Sequence, residues 1–330
     1  MGSEQTAGIS GKSVNQASAA TRSRSAIRVT PRGVEVALGV FWLLDGLLQF
    51  QPYMFSHNFL AQTIGAMASG QPGPIQWTIN TAVQIATPYR VEFNALFALV
   101  QVAIGVGLIA GRRWVRPALL VSFAWAFVVW WFGEGLGMIP MGMASPLTGA
   151  PGAVLLYVLV GVMVWPTGKV PDTSAASAGP LGDYYARMVW GFLWLLLAVL
   201  MLQPVNRAAG ALSSTFSTAA SSSPGPFAGL NGGLASMFAG RGTASAIVLS
   251  ALFAVVGIAV FLNWLRNAFL VVGSLIGLLI WITGEYFGGM FTGQGTDPNS
   301  GPILVLLAAA LWVATPAQIT SIAKAGPSGS

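Results

Sequence analysis

Of 330 residues, 55% are hydrophobic and only 7% charged, far below the roughly one quarter usual in a soluble chain. The net charge of +6 comes from fifteen Lys and Arg scattered between apolar runs, which form no continuous basic face and give no footing for a nucleic-acid partner. Zero Cys removes disulfides, thiolate metal sites, iron–sulfur clusters and cysteine nucleophiles together. With a mean hydropathy of +0.71, the composition is that of an integral membrane protein, whose first partners are membrane lipids.

The chain begins with residues 1–32, rich in Ser, Ala and Gly and carrying Lys12, Arg22, Arg24 and Arg28. So few large apolar side chains cannot offset the entropy of ordering, and a disordered basic cytoplasmic tail is expected. The first apolar run, 33–50, is longer than a signal-peptide core and is followed by no small-residue cleavage site, so it should stay as a transmembrane helix. Further runs cover 94–111, 117–132 and 152–165, then 188–202, 244–264, 268–283 and 302–317.

These runs form a duplication. "FWLLDGLLQFQP" at 41–52 returns as "LWLLLAVLMLQP" at 193–204, and "PGP" at 72–74 returns at 224–226, both with an offset of 152. "WVRPALL" at 114–120 returns as "WLRNAFL" at 264–270, and the Gly-Glu pair at 133–134 returns at 284–285, with offsets of 150 and 151. Order and spacing both hold, so the halves should bury related faces. The expected fold is all-α integral membrane: two parallel tandem repeats of a four-helix bundle, about 8 transmembrane helices, over 33–165 and 187–317. A Pro-, Gly- and Ser-rich cytoplasmic linker, 166–186, joins them, and a cytoplasmic tail, 318–330, follows. Several runs fall short of the roughly 20 residues that span a bilayer, so either the helices extend into their flanks or one run per half is re-entrant.

The basic residues set an expected orientation. With eight spans and the N-terminus inside, twelve positives are cytoplasmic (Lys12, Arg22, Arg24, Arg28, Arg32, Arg112, Arg113, Arg116, Lys169, Arg187, Arg266 and Lys324) against Arg90, Arg207 and Arg241 outside. The expected location is a bacterial cytoplasmic membrane with both termini in the cytosol. Outside lie 51–93 and 203–243. "SHNFLAQTIGAMAS" and "PIQWTINTAVQIAT" in the first read as short helices, opened by a capping Ser56 and by Pro74 in the first turn, and are either an interfacial lid or a re-entrant pair.

Ionisable residues within lipid cost at least about 2.5 kcal/mol near the bilayer centre, so each carries a functional question. Asp45 lies about twelve residues into the first span, hence on the order of 18 Å from its start at 1.5 Å per residue. Its repeat partner is Leu197, so chemistry at Asp45 would belong to one half. Glu134 and Glu285 recur at the outer ends of the third span of each half, before Gly135 and Gly137 or Gly288 and Gly289. Either each carboxylate accepts N–H bonds from its glycine-rich turn, or both face one cavity and share a proton or a cation.

Met138, Met141 and Met143, with the single His57 on the same side, would suit Cu(I), although ordinary membrane packing is the stronger reading of the methionines. Trp130, Trp131 and Trp281 read as an aromatic belt, or as the lining of a groove for quinone or lipid. "GEGLG" lacks the strand and helix of a dinucleotide loop, "DPNSG" is too short for a calcium loop, and one His leaves no catalytic triad in evidence.

"DGLLQFQP" and "QVAIGVGLIAGRRWVRPALL" together resemble the DoxX/DoxD-like membrane family, best over 33–120. The resemblance departs at Gln49, where the family pattern has Lys, and at Gln101, where it has Glu. It implies partnership with a membrane redox complex and a quinone. Two functions are therefore expected in outline. One is an accessory or anchoring subunit of a quinone-linked redox system with an outward-facing groove, not catalytic alone. The other is a carrier or channel for a small solute, proton or cation.

Overall fold

The computed structural model describes residues 29–314; most of the tail 1–32 and all of the tail 318–330 fall outside them, as do Lys12, Arg22, Arg24, Arg28 and Lys324. Every element among the described residues is helical. In chain order they are α1 (Pro31–Leu48), α2 (Gly73–Ala86), α3 (Arg90–Ala110), α4 (Arg112–Val128), α5 (Ala153–Met163) and α6 (Gly182–Met201). There follow α7 (Pro204–Arg207), α8 (Ala211–Ser222), α9 (Gly225–Met237), α10 (Gly242–Ala259), α11 (Arg266–Thr283) and α12 (Ser300–Ala310). Shorter turns join them, among them a π-type stretch over Phe59–Ile64 that pairs with α2 as a hairpin.

Five helical stretches are long and apolar enough to cross a membrane: Gly73–Ala110, Arg112–Gly133, Gly182–Met201, Gly242–Ala259 and Arg266–Thr292. Their outward faces are as apolar as their inward ones, with Leu99, Leu120, Phe127, Phe192, Val199 and Val248 all exposed, which suits a lipid surround. The 18-residue α1 carries three charged side chains, Arg32, Glu35 and Asp45. The runs expected at 152–165 and 302–317 fold as α5 and α12, only 11 residues each, and do not extend into their flanks.

α1 packs on α3, α6 on α10, α11 on α12, and α5 on α12, so the two short helices meet at the centre. Trp42, Tyr157, Trp190, Trp194 and Phe253 are fully buried in the core. The tightest crossings use glycine because no Cβ fits: Gly105 faces the backbone oxygen of Gly39 across α1 and α3, and Gly257 faces that of Gly191 across α6 and α10.

Arginines fix the antiparallel order at one end. Arg32 donates to the Leu108 and Ile109 oxygens at the close of α3 (2.7 and 2.6 Å), and Arg116 donates twice to Pro166 O beyond α5 (3.1 and 2.7 Å). Arg266 donates to Leu311 O at the close of α12 (2.6 Å) and makes a two-pronged pair with Asp183 (2.8 and 2.6 Å). Cations thus meet carbonyls left without intrahelical partners, where the helix dipole also favours positive charge. Arg32, Arg116, Arg187 and Arg266 all start or nearly start a helix, and this is the basic end of the bundle.

Candidate functional site

At the opposite end, α4 and α11 close in the same way. The Glu134 N–H reaches back to Val129 O (2.9 Å) and the Glu285 N–H to Ile280 O (2.9 Å), each spanning five residues rather than four. Four residues then take left-handed backbone: Gly135, Leu136, Gly137 and Met138 with φ of 53–62°, and Tyr286, Phe287, Gly288 and Gly289 with φ of 37–68°. A left-handed turn costs roughly 1–2 kcal/mol per non-glycine residue, so Leu136, Met138, Tyr286 and Phe287 are held there by their surroundings. Phe287 stands edge-on to Trp281 (5.0 Å) and to Phe227 (4.9 Å).

The glycine turns do not supply the amides that the two glutamates bind. Glu134 Oε1 accepts from Val154 N (3.1 Å) in the first turn of α5. Glu285 accepts from Ser300 N (3.3 Å), Gly301 N (3.1 Å) and the Ser300 hydroxyl at the start of α12. The left-handed turn folds the carboxylate back over the next short helix, whose first N–H groups have no intrahelical partner. Each glutamate caps a helix N-terminus.

Beyond that shared role the two differ. A cavity of about 280 Å³ opens between α1, α3, α4, α5 and the hairpin of 59–86, and Glu134 lines it whereas Glu285 does not. Asp45 enters from α1 and Tyr157 from α5; the Tyr157 hydroxyl donates to Asp45 Oδ1 at 3.1 Å. Asp297 enters from the loop before α12, its Oδ1 accepting from Asn299 N (2.7 Å) and its Oδ2 from the Thr296 hydroxyl (2.8 Å). Gln49 and Gln101 complete the polar set, each at most 5% exposed, and their Oε1 atoms have no protein partner; Glu134 Oε2 has none either. The rest of the lining is apolar, dominated by Trp42, Trp125, Phe93, Phe97 and Phe132.

Among the described residues, no Arg, Lys or His lines this cavity. Burial, reinforced by the negative charge of Asp297, pushes the Glu134 carboxyl up to about 8 against the opposing bond from Val154. Burial likewise raises Asp297 above the ordinary carboxylate range. Among the described residues, no three His, Cys, Asp or Glu side chains converge closely enough to hold a metal ion.

The remaining candidates lie apart from the cavity. His57 is exposed, Met143 is exposed, and Met141 packs its methyl toward Gly70. Trp130 donates to Pro151 O (2.9 Å) and Trp131 to the Thr78 hydroxyl (2.9 Å), pinning the left-handed turn and the hairpin; Trp281 packs on Phe287. Sequence reading had passed over Tyr157, Asp297 and the binding potential of Gln49 and Gln101. The signal was there in the glutamines, since an amide inside an apolar helical run needs a partner or a ligand.

No family model, no curated protein and no solved structure matches this chain.

Proposed function

We propose that the protein is a multi-pass membrane carrier that binds a small solute in the cavity between α1, α3, α4 and α5. The observation that carries this reading is that Asp45 and Glu134 open into one aromatic-lined cavity beside amide oxygens left without partners. Sites of this composition, apolar walls with a few convergent polar groups, are the ordinary form of small-molecule pockets.

The reading includes the duplication and its asymmetry. Glycine pairs Gly39–Gly105 and Gly191–Gly257, buried Trp42 and Trp194, and the capping Glu134 and Glu285 all recur in order along the chain, which supports two copies of one four-helix unit. At an offset of 152, Asp45, Gln49 and Gln101 face Leu197, Met201 and Phe253, all buried in the core. One copy is filled with hydrocarbon and the other keeps polar groups around a cavity, an arrangement that suits a scaffold half and a binding half. The arginines at the basic end favour that end in the cytosol, with the cavity toward the outside.

The accessory-subunit reading draws on the same aromatic lining, in which a quinol would place its hydroxyls on Asp45 and Glu134. Titration of the purified protein by tryptophan fluorescence tests both readings, because Trp42 and Trp125 line the cavity. A saturable signal with a small amphiphilic solute, lost in Gln101→Phe, is the expected result. A signal confined to quinols would select the redox reading, and a silent cavity would remove the carrier.

A further inference from the structure

We infer that the solute is an organic ammonium ion with an apolar body, taken up in exchange for a proton on Glu134. This rests on the carrier reading above and specifies its cargo.

Three features converge on that class. First, the residues lining the cavity leave three acceptors without protein partners, Gln49 Oε1, Gln101 Oε1 and Glu134 Oε2, against two unpartnered donors, the indole N–H groups of Trp42 and Trp125, beside the carboxyl group of Asp45. An ammonium head supplies donors to the acceptors, which are the larger part of this set. Second, the ionisable groups facing Glu134 are all acids. Asp45 on α1 and Asp297 before α12 share its cavity, Glu285 adds to them from beyond it, Tyr157 on α5 is neutral, and α3 and the hairpin contribute no charge to the lining. Positive charge is thus absent from the walls and must come from the occupant. Third, Trp42, Trp125, Phe93 and Phe97 present aromatic faces and edges around the same space, with Phe97 and Trp125 5.3 Å apart. Aromatic walls attract ammonium groups and also bury a hydrocarbon body.

The exchange balances simply. An empty site holds Glu134 as the neutral acid, since a buried carboxylate with only like charges around it keeps its proton. The ammonium ion enters, the Glu134 O–H bond breaks, its proton leaves to water, and the carboxylate pairs with the cation. One positive charge enters and one leaves, so the charge of the cavity is unchanged.

The test uses the full chain in detergent, titrated by intrinsic fluorescence with phenethylammonium and with its neutral counterpart 2-phenylethanol. The expected result is at least about tenfold tighter binding of the ammonium, on the scale of one cation–aromatic contact in a dry site. That preference should grow about tenfold for each unit that pH rises toward about 8, with one proton released per cation bound as read by an indicator dye. Glu134→Gln should abolish proton release and flatten the pH dependence. Asp45→Asn, which keeps the cavity shape, should lower the preference without losing 2-phenylethanol. Equal or better binding of the alcohol overturns the cation inference and leaves the carrier standing. Failure of both ligands in wild type, with a normal thermal unfolding curve, overturns the two together.

Discussion

The Tyr157 hydroxyl donates to Asp45 Oδ1 at 3.1 Å, joining two helices whose residues are 112 apart in the chain. The bond crosses from α1, a long helix, to α5, one of the two short central ones, and the indole of Trp42 stands edge-on to the same tyrosine ring at 4.9 Å. Removing the hydroxyl in Tyr157→Phe deprives Asp45 of its side-chain donor while leaving the ring packing intact. The expected cost is about 1–3 kcal/mol, the range for a hydrogen bond whose buried partner is left unsatisfied. Thermal unfolding in detergent measures it, and in an Asp45→Asn background the same substitution should cost measurably less.

The two capping glutamates should be unequal. Glu285 holds two backbone amides and a hydroxyl, whereas Glu134 holds one backbone amide. Glu285→Ala is expected to lower stability by about 1–2 kcal/mol more than Glu134→Ala, on the scale of lost helix caps. Solute binding should show the reverse order, with Glu285→Gln neutral and Glu134→Gln impaired.

Stability should fall as pH rises. Glu134 is raised from 4.5 to about 8, so the folded chain holds a proton that the unfolded chain releases above about 4.5. The resulting stabilisation is full below that lower value and lost progressively as pH passes through 8; the raised Asp297 acts in the same direction. A Tm that declines from pH 5 to 8, with a shallower slope in Glu134→Gln, is the expected outcome.

Filling the cavity should remove binding without unfolding the chain. Gln49→Met combined with Gln101→Phe installs the residues found 152 positions further along, Met201 and Phe253, both fully buried there. Replacing two unpartnered buried amides with apolar groups is expected to leave Tm unchanged or raise it. The fluorescence response to any solute should disappear.

Arg266→Ala should be among the most damaging single changes at the basic end. It removes the two-pronged pair with half-buried Asp183, which keeps Arg187 and the Ser174 hydroxyl, and leaves Leu311 O unpaired, a loss of about 1–3 kcal/mol. Urea or thermal denaturation of the purified protein reads the difference, and Arg266→Lys should recover only part of it.

Much of this architecture was legible because membrane helices write themselves as apolar runs, and because "GE" at 133–134 returns at 284–285. The equivalence of Glu134 and Glu285 as helix-exit groups could be read from spacing, but their partners could not. The left-handed turns after them carry the carboxylates onto helices starting at Ala153 and Ser300, and Leu136, Met138, Tyr286 and Phe287 give no local hint of left-handed backbone. Asp297 was hidden for a different reason. Its tetrapeptide surroundings resemble an ordinary polar loop, and only the packing of α12 against α1 and α5 brings that loop over the cavity. Gln49 and Gln101 were visible only as departures from a resemblance, although their burial is what gives them chemical weight.

At 11 residues, α5 and α12 are each about 17 Å long, roughly half the thickness of a bilayer's hydrocarbon layer. Both end near the arginines, so beside them the far half of the layer is taken up by irregular chain and the cavity. Under the carrier function proposed above, a solute from that side would meet Asp45 after a short descent, while from the arginine side it would face packed hydrocarbon. The thin wall and the thick one are made by the same two helices stopping early.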